Sequence, residues 1–525
     1  MKKNSIIATI ILMVSNFLTK IVGLLRDVQL AAIYGAGIVS DAYIIAMNIP
    51  NIIFAAIGVA LSTVYIPLYS EIRETQGEKA ALKFSNNIIN IITILGCILT
   101  TLGLIFTEQI VNIFAVGFDG KNLDYAINFT RILLPSILFI GLNNIFGCFL
   151  QLKGKFTAIG FATVPQNIIV IISMFISYKL NNVYILLWGT LFAIGVQVIY
   201  YYPFMKKGGY VYNNYINLRD PNLKKVLYLV GPVFLGASVN QINILMNRTL
   251  ASTLDEGSIS ALNFADKLNG FVTGVFIISI STVIYPIFSK LSAQKIYKEL
   301  YETVVRIIRI VLIVTIPISI YILLFSEPIV ELLFKRGTFD EIATTMTSQA
   351  LIGYAFSIIG IGVMDILLKA FYSVQDTKTP VKYGLVSVTV NIVLSMFLIN
   401  ILGILGLALA ASIASIFTAC LLFLKLRKKI GGNSDRKNIK SSVLNILKVL
   451  ISSLIFGVIV DQLGKLLQEI LSTKGFIELI CIISVPFVVG VAIYMALLYL
   501  LKVEETDLLL GGILKKIKLG RDLKQ

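Results

Sequence analysis

The sequence predicts an all-α, polytopic membrane protein with about fourteen transmembrane helices. Of its 525 residues, 57% are hydrophobic and only 14% are charged, and the mean hydropathy is +0.88. Soluble domains are about one quarter charged. Apolar runs of about 18 residues or more, long enough to cross a hydrocarbon core of about 30 Å, recur along almost the whole chain.

The predicted helices form two groups of six followed by a final pair. The apolar runs cover 5–33, 41–70, 86–116, 127–152, 158–178 and 182–205, then 224–252, 259–290, 303–334, 345–373, 380–400 and 402–427, and last 441–463 and 476–502. They predict a first lobe over 1–218, a second lobe over 219–430, and a helix pair with a basic tail over 431–525. With both termini in the cytoplasm, most of the 45 Lys and Arg residues lie inside, as the positive-inside rule requires.

An internal repeat relates the two groups of six. With a shift of 219 residues, 40–72 aligns without gaps on 259–291, and a shift of 224 pairs Gln151 with Gln375 and Asn167 with Asn391. Each group has an even number of helices and begins on the same side, so the repeat is parallel. Two such lobes are expected to enclose a central cavity, where substrate binds near mid-membrane.

Composition excludes several classes of function. The chain has no histidine, which excludes histidine-based catalytic triads and zinc sites with histidine ligands. Its four cysteines lie inside apolar runs without CxxC spacing, which predicts packing roles and neither metal nor disulfides. The net charge of +17 is spread over short loops, so nucleic-acid binding is not expected.

Charged residues inside apolar runs are the candidate functional residues, because a charge at mid-bilayer usually faces a polar cavity or a partner. The first helix carries Lys20, Arg26 and Asp27. If the two cations line a cavity, they indicate an anionic substrate. If Lys20 instead snorkels to the membrane surface and Arg26 pairs with a carboxylate, both residues have structural roles. Asp41 follows a glycine-rich turn, where capping of the second helix is the favoured role.

The second group of helices carries its own polar positions. Asp266 and Lys267 lie near the start of the eighth helix, where one could face the cavity or both could be interfacial. On the seventh helix, Asn240, Asn243 and Asn247 share one stripe, which indicates helix-to-helix hydrogen bonds or an ion or substrate site. On the tenth helix, the four-residue spacing of Asp365 and Lys369 predicts an internal ion pair.

Three stretches carry a family resemblance: TKIVGLLRDVQLAAIYGAGIVSDAYIIAMNIPN, the PLYSEI end of the second helix, and VNQIN with FADKLNG in the second lobe. The chain resembles the MurJ/MviN lipid II flippases of the multidrug/oligosaccharidyl-lipid/polysaccharide exporter superfamily. The resemblance covers essentially the whole chain. It implies two six-helix lobes and two extra C-terminal helices that form a groove for a lipid tail.

The resemblance also implies a binding site. The family's cationic cavity positions fall on Lys20, Arg26 and Lys267, with lysine at 20 and 267 where arginine is commoner, and its acidic positions fall on Asp27 and Asp41. A further family arginine falls near Ile53 or Phe54, so this sequence lacks it. Some relatives bind sodium on the seventh and eleventh helices, which implies Asn243 and Asn391, although Ser395 replaces an aspartate on the next turn.

Together these features predict a transporter, not an enzyme. We expect it to flip a peptidoglycan precursor linked to undecaprenyl diphosphate across the bacterial cytoplasmic membrane by alternating access. No cofactor is expected, and coupling to membrane potential or to a monovalent ion is compatible with the cationic cavity. Expected partners are the lipid-linked precursor, membrane lipids and cell-wall synthesis enzymes. A flippase for another lipid-linked saccharide, a cation-coupled multidrug antiporter and a non-transporting membrane scaffold are the alternatives.

Overall fold

The structure, a computed structural model, describes residues 2–431, 436–471 and 475–506. These residues form helices and connecting turns, and no strand is found among them. Helices are expected because an apolar surrounding offers no water to the backbone N–H and C=O groups, which must then pair within the helix. The described residues are thus all-helical, and the chain is a multi-pass membrane protein, which confirms the predicted architecture.

Seventeen helices are found in the described residues. The first ten are α1 (Lys2–Tyr34), α2 (Ile38–Gln76), α3 (Glu78–Ile105), α4 (Thr107–Phe114), α5 (Gly120–Leu133), α6 (Ser136–Leu152), α7 (Phe156–Phe161), α8 (Thr163–Lys179), α9 (Tyr184–Lys207) and α10 (Pro221–Ala251). The remaining seven are α11 (Ser258–Ala293), α12 (Tyr297–Phe334), α13 (Glu341–Ala355), α14 (Ser357–Ser373), α15 (Lys378–Ile430), α16 (Arg436–Ile470) and α17 (Phe476–Leu500).

Each of the fourteen predicted apolar runs lies on one or two of these helices. Three predicted spans are broken: α5 and α6 meet at 46°, α13 and α14 at 40°, and α10 bends by 40° between its two halves. By length and composition, the described residues contain eight helices able to cross a membrane, or up to eleven if each bent pair is one span. The predicted number of fourteen therefore stays a prediction.

Helix α15 contains two of the predicted helices. Gly403, with φ +54° and ψ −128°, is non-helical in the middle of the element. The Lys429 ammonium lies 2.5 Å from the Asp376 carboxylate, so the two ends of α15 meet and the chain reverses at Gly403. Partial burial opposes ionisation of Asp376, but hydrogen bonds from Lys429 and Thr379 lower its pKa to about 2. The predicted helix pair is thus a helical hairpin.

The chain divides into two compact units. The first consists of Met1–Phe264 and Arg336–Ala343, and the second of Ala265–Lys335 and Thr344–Gln525. In the first unit, α2 is the central helix, because it packs against α3, α5, α6 and α10. The division into lobes over 1–218 and 219–430 with a final region over 431–525 stays a prediction. The part of the basic tail beyond residue 506 lies outside the described residues.

The second unit has two apolar cores. One joins α11, α12, α14 and α15 around Phe288, Leu367 and Phe371. The other joins α12 to α16 and α17, with Phe456 and Tyr494 at its centre. After α17 ends, the buried Glu505 carboxylate lies 2.6 Å from Nε of Arg309 on α12. Burial, partly offset by that arginine, raises the pKa of the Glu505 carboxyl.

Candidate functional site

The guanidinium of Arg26 is held by two side chains inside the first unit. Its Nε and Nη2 donate to Oδ1 of Asp27 at 3.0 and 2.7 Å, and its Nη1 donates to Oδ1 of Asn167 at 3.1 Å. The Asp27 side chain is 6% exposed and the Arg26 side chain 24%. A pair shielded to this degree is stronger than an ion pair in water, because solvent screens it less. The alternative in which Arg26 pairs with a carboxylate is therefore observed.

Polar contacts fix α1 against α8 along the same helix. Gln29 donates to the carbonyl of Ile171 at 3.1 Å, and the hydroxyls of Tyr34 and Ser177 lie 2.6 Å apart. These contacts lie on one helix with Arg26 and bind the same partner helix that carries Asn167. Inside a membrane such hydrogen bonds hold helices together where the hydrophobic effect contributes little. They keep the Arg26 guanidinium in one position.

Lys20 and Lys267 belong to different units. Lys20 lies on α1 in the first unit and is half-buried. Lys267 lies near the beginning of α11 in the second unit, where both it and Asp266 are exposed. The neighbouring Asn269 is buried and donates to the hydroxyl of Ser357 at 3.0 Å. Lys267 therefore lies on a face of α11 that does not pack into the core of its unit.

Asp41 caps a different helix from the one predicted. Helix α2 begins at Ile38 after Gly37, which makes no side-chain cap, so Asp41 is already inside its first turn. Its carboxylate accepts hydrogen bonds from the backbone N–H of Gly257 at 2.8 Å and of Ser260 at 2.7 Å, and from the Ser260 hydroxyl. A carboxylate is favoured there by the free N–H groups and dipole of the α11 N-terminus. The predicted capping of α2 was wrong.

Close backbone contacts surround Asp41. The N–H of Thr338 donates to the carbonyl of Ala32 at 3.0 Å, and that of Gly117 to the Ser252 hydroxyl at 3.1 Å. A Cβ added to Gly337 would lie 2.1 Å from the carbonyl oxygen of Ala32, so only glycine fits. We call this contact region, formed by 32–41, 113–117, 249–260 and 336–338, the Asp41 junction. It joins segments that are remote in sequence within the first unit.

The predicted ion-binding residues also lie in different units. Asn243 is a half-buried residue of α10 in the first unit, and the side chain of Asn240 lies outside the described residues. Asn391 is buried in α15 of the second unit, where the Ser395 hydroxyl lies 3.5 Å from its Oδ1. Nothing in either unit tests ion binding, so the site stays a prediction.

The predicted ion pair between Asp365 and Lys369 was wrong. No salt bridge joins them in the described part of the chain, and Oδ2 of Asp365 is buried without a hydrogen-bond partner. The Lys369 ammonium instead lies 5.7 Å from the ring centroid of Tyr285 on α11. The long lysine side chain reaches a neighbouring helix, so spacing on its own helix did not determine its partner.

Two contributions to the site were missed. Asn167 holds Arg26, yet in the sequence it appeared only as the repeat counterpart of Asn391; that repeat pairing was the available signal. The amides of Gly257 and Ser260 bind Asp41, and no side-chain pattern marks backbone donors. Only the partial positive charge of a helix N-terminus, which favours a nearby carboxylate, could have indicated these donors.

Comparison with known proteins places this geometry in a family. The sequence model described as "Lipid II flippase MurJ" matches residues 30–483. A probable lipid II flippase MurJ of Rickettsia prowazekii is 29% identical over 512 residues, which is 95% of this chain and 98% of the relative. The lipid II flippase MurJ of Burkholderia cenocepacia is 30% identical and covers 80% of this chain and 83% of its own length.

Solved structures give the same assignment. A lipid II flippase MurJ in an inward closed conformation matches with a TM-score of 0.80 and 26% identity, covering 95% of this chain and all of its own. An inward-facing multidrug resistance transporter of the MATE family matches with a TM-score of 0.65 at 16% identity, covering 80% of this chain and 98% of its own, a likeness of fold alone. The family match over most of the chain confirms the predicted resemblance: this protein belongs to the MurJ family of lipid II flippases.

Proposed function

We propose that this protein moves lipid II from the cytoplasmic to the outer leaflet of the bacterial cytoplasmic membrane by alternating access. The observation that carries the proposal is the pair of cations, Lys20 and Arg26, on one apolar helix of a chain in this family. Charges at such positions are costly unless they serve a polar ligand or partner. The diphosphate of lipid II is an anion that suits both side chains.

Arg26 is prepared for an anion by the contacts that hold it. A guanidinium has five N–H donors, and three of them are used by Asp27 and Asn167. The other two have no acceptor among the described residues, and the side chain keeps 24% exposure. Asp27 therefore orients the guanidinium and leaves donors for a phosphate oxygen. Lys20 adds a point charge, which attracts phosphate without fixing its orientation.

Lys267 is the proposed contribution of the second unit. It is exposed near the beginning of α11, so its ammonium is available to a ligand. In the same proposal, Asn243 and Asn391 serve a coupling ion, and membrane potential biases the cycle through the charges that move across it. No covalent step is involved.

The Asp41 junction supports alternating access. Its contacts join segments remote in the chain through the three hydrogen bonds of one carboxylate and through close glycine packing, so one displacement of the α11 N-terminus would break the carboxylate bonds together. We assign this end of the first unit to the outer side, because the opposite ends of α2 and α9 carry the cation-rich segments that the positive-inside rule places in the cytoplasm. The same proposal places both chain termini in the cytoplasm.

The test is transport in vesicles that contain the purified protein and fluorescent lipid II. Wild-type protein should expose the label to an external quencher. Lys20→Gln should slow this by about tenfold to a hundredfold, the effect of losing one hydrogen bond to a charged group. Lys179→Gln, which removes an exposed lysine at the end of α8, is the matched control and should leave the rate unchanged.

Two outcomes would contradict the proposal. Transport of cationic drugs with no movement of lipid II would favour an antiporter, and Arg26→Glu would then be tolerated. Movement of a different lipid-linked saccharide in preference to lipid II would preserve the mechanism and replace the substrate. Contributions by cell-wall synthesis enzymes are not required in this reconstituted assay.

A further inference from the structure

The connection between α9 and α10 is held against α3 by hydrogen bonds. We call residues 208–220 the strap; they contain neither helix nor strand. Burial raises the pKa of the Tyr210 hydroxyl, which donates to Oδ1 of Asn86 at 2.7 Å. Asp220 ends the strap by accepting the N–H of Asn222 at 2.8 Å, which caps α10.

Three asparagines on one face of α3 bind the strap backbone. Asn86 donates to the carbonyl of Val211 at 2.9 Å and accepts from the N–H of Asn213 at 3.1 Å. Asn87 likewise donates to the carbonyl of Asn217 at 3.0 Å and accepts from its N–H at 2.8 Å. Each amide therefore uses both its donor and its acceptor, and the strap is fixed in register.

The third asparagine and a lysine complete the attachment. Asn90 donates to the carbonyls of Asn213 at 3.3 Å and Tyr215 at 3.1 Å. The Lys83 ammonium lies 4.4 Å from the ring centroid of Tyr215. The Tyr212 hydroxyl donates to Oδ1 of Asn90 at 3.1 Å, while the residue keeps 56% exposure.

The outward side of the strap carries large apolar side chains among polar ones. Large hydrophobic side chains are exposed along it, by 68% for Val211, 56% for Tyr212 and 69% for Leu218. Exposed apolar groups in a segment that does not span the membrane mark an interaction surface. A rigid strap cannot bury them by folding back.

The flanks of this surface are cationic. Lys206, Lys207, Arg219 and Lys224 are all exposed, and no salt bridge joins any of them to a described residue. The one acidic strap residue, Asp220, is used by the cap of α10. Apolar side chains beside uncompensated cations are the composition that binds an anionic membrane surface.

We propose that the strap and its flanking cations are a docking surface for anionic phospholipid headgroups. The strap begins directly after the membrane-spanning helix α9 and ends at the start of α10, which places it at headgroup depth. Val211, Tyr212 and Leu218 enter the boundary between headgroups and acyl chains, while the lysines and Arg219 bind the phosphates. Binding to a protein partner would not require the strap to lie at the depth of the headgroups.

The single tryptophan of the chain allows a direct test. In a Trp188→Phe background, Tyr212→Trp reports on the strap, and the protein is reconstituted with brominated phosphatidylglycerol or brominated phosphatidylcholine at equal bromine content. Tyr178→Trp, at the opposite end of the hairpin formed by α8 and α9 and 64% exposed in the parent, is the matched control. At position 212, phosphatidylglycerol should quench at least twofold more strongly; at position 178, the two lipids should quench equally.

A charge-neutralised variant separates lipid recognition from simple proximity. Lys206→Gln, Lys207→Gln and Arg219→Gln together should equalise the two lipids at position 212 while quenching persists. Equal quenching by both lipids in the parent would overturn anionic selectivity. Absence of quenching at position 212 would show that the strap does not lie in the membrane. The surface would then be assigned to a protein partner. The readout does not depend on lipid II transport.

Discussion

The two ends of α2 are held in different ways. At one end, Asp41 binds backbone N–H groups of a segment more than 200 residues away, and glycines allow backbones to touch. At the other end, Glu71 forms an exposed ion pair with Lys225, and the nearby strap is bound by three asparagines of α3. Thirty residues, or about 45 Å of helix, separate Asp41 from Glu71.

The two ends of α2 differ in the charge of the side chains that hold them and in the number of hydrogen bonds. In the Asp41 junction, one carboxylate accepts three hydrogen bonds whose donors all lie on α11 or just before it, so a single displacement removes them together. The strap depends on many neutral hydrogen bonds, each worth about 0.5–1.5 kcal/mol, which are lost one at a time. The first arrangement suits a contact that opens and closes in a transport cycle. The second suits a permanent attachment.

The largest expected effect comes from steric disruption of the Asp41 junction. In Gly337→Ala, the new Cβ would lie 2.1 Å from the Ala32 carbonyl oxygen, at a residue whose φ is +63°. The backbone segments must separate to relieve this overlap. In a cysteine-free background, a cysteine at Thr338 should react several-fold faster with a water-soluble thiol reagent, and lipid II transport should fall at least tenfold.

Gly77→Ala is the matched control for this variant. Gly77 also has a positive φ, +89°, but a Cβ there meets nothing within 4 Å. It therefore carries the backbone strain without the overlap and should leave both thiol reactivity at position 338 and transport near the parent values. Equal behaviour of the two variants would show that transport tolerates separation of the backbones at the junction. The two ends of α2 would then not differ as described.

A smaller effect is expected when the carboxylate alone is changed. Asp41→Asn keeps the shape of the side chain but removes the charge and turns an amide N–H group toward donors of α11. Losing charged hydrogen bonds should destabilise the junction by about 1.5–3 kcal/mol. Hydrogen exchange at the amides of Gly257 and Ser260 should then accelerate by about tenfold to a hundredfold. Asp124→Asn, at an exposed position of α5, should leave exchange at these amides unchanged.

Sequence reasoning predicted the fold better than the partners of the site residues. Apolar runs separated by charges located the long helices, because span length and polarity are local properties. A break inside α15 was also predicted, between the runs 380–400 and 402–427, two residues before the non-helical Gly403. Broken spans such as α5 with α6 were missed, because apolar composition does not change where a helix bends.

Partners depend on tertiary contacts, which no single helix encodes. Pairing of Arg26 with a carboxylate was predicted as an alternative, and the partner is Asp27, the next residue in the sequence. The contacts of Lys369 and Asp41 were wrongly assigned because their partners lie on other helices. Long lysine side chains and backbone N–H groups at helix termini are the two cases in which spacing within one helix predicts least.

The smallest expected effect lies at the strap end and tests whether its many contacts act independently. Asn86→Asp keeps the acceptor that binds Asn213 but loses the N–H group that binds Val211. The other bond of this amide N–H₂ group, to the carbonyl of Leu82, lies within α3. One neutral bond to the strap is therefore removed, so exchange at the Asn213 amide should rise by about threefold to tenfold while the amide of Asn217 stays protected. Lys225→Gln changes the net charge by the same amount and removes an ion pair whose side chains are 48% and 55% exposed. Such exposed pairs contribute about 0–1 kcal/mol, so this control should leave both strap amides protected. Loss of protection along the whole strap in Asn86→Asp would mean that the asparagines act as one unit, and the strap would then resemble the Asp41 junction.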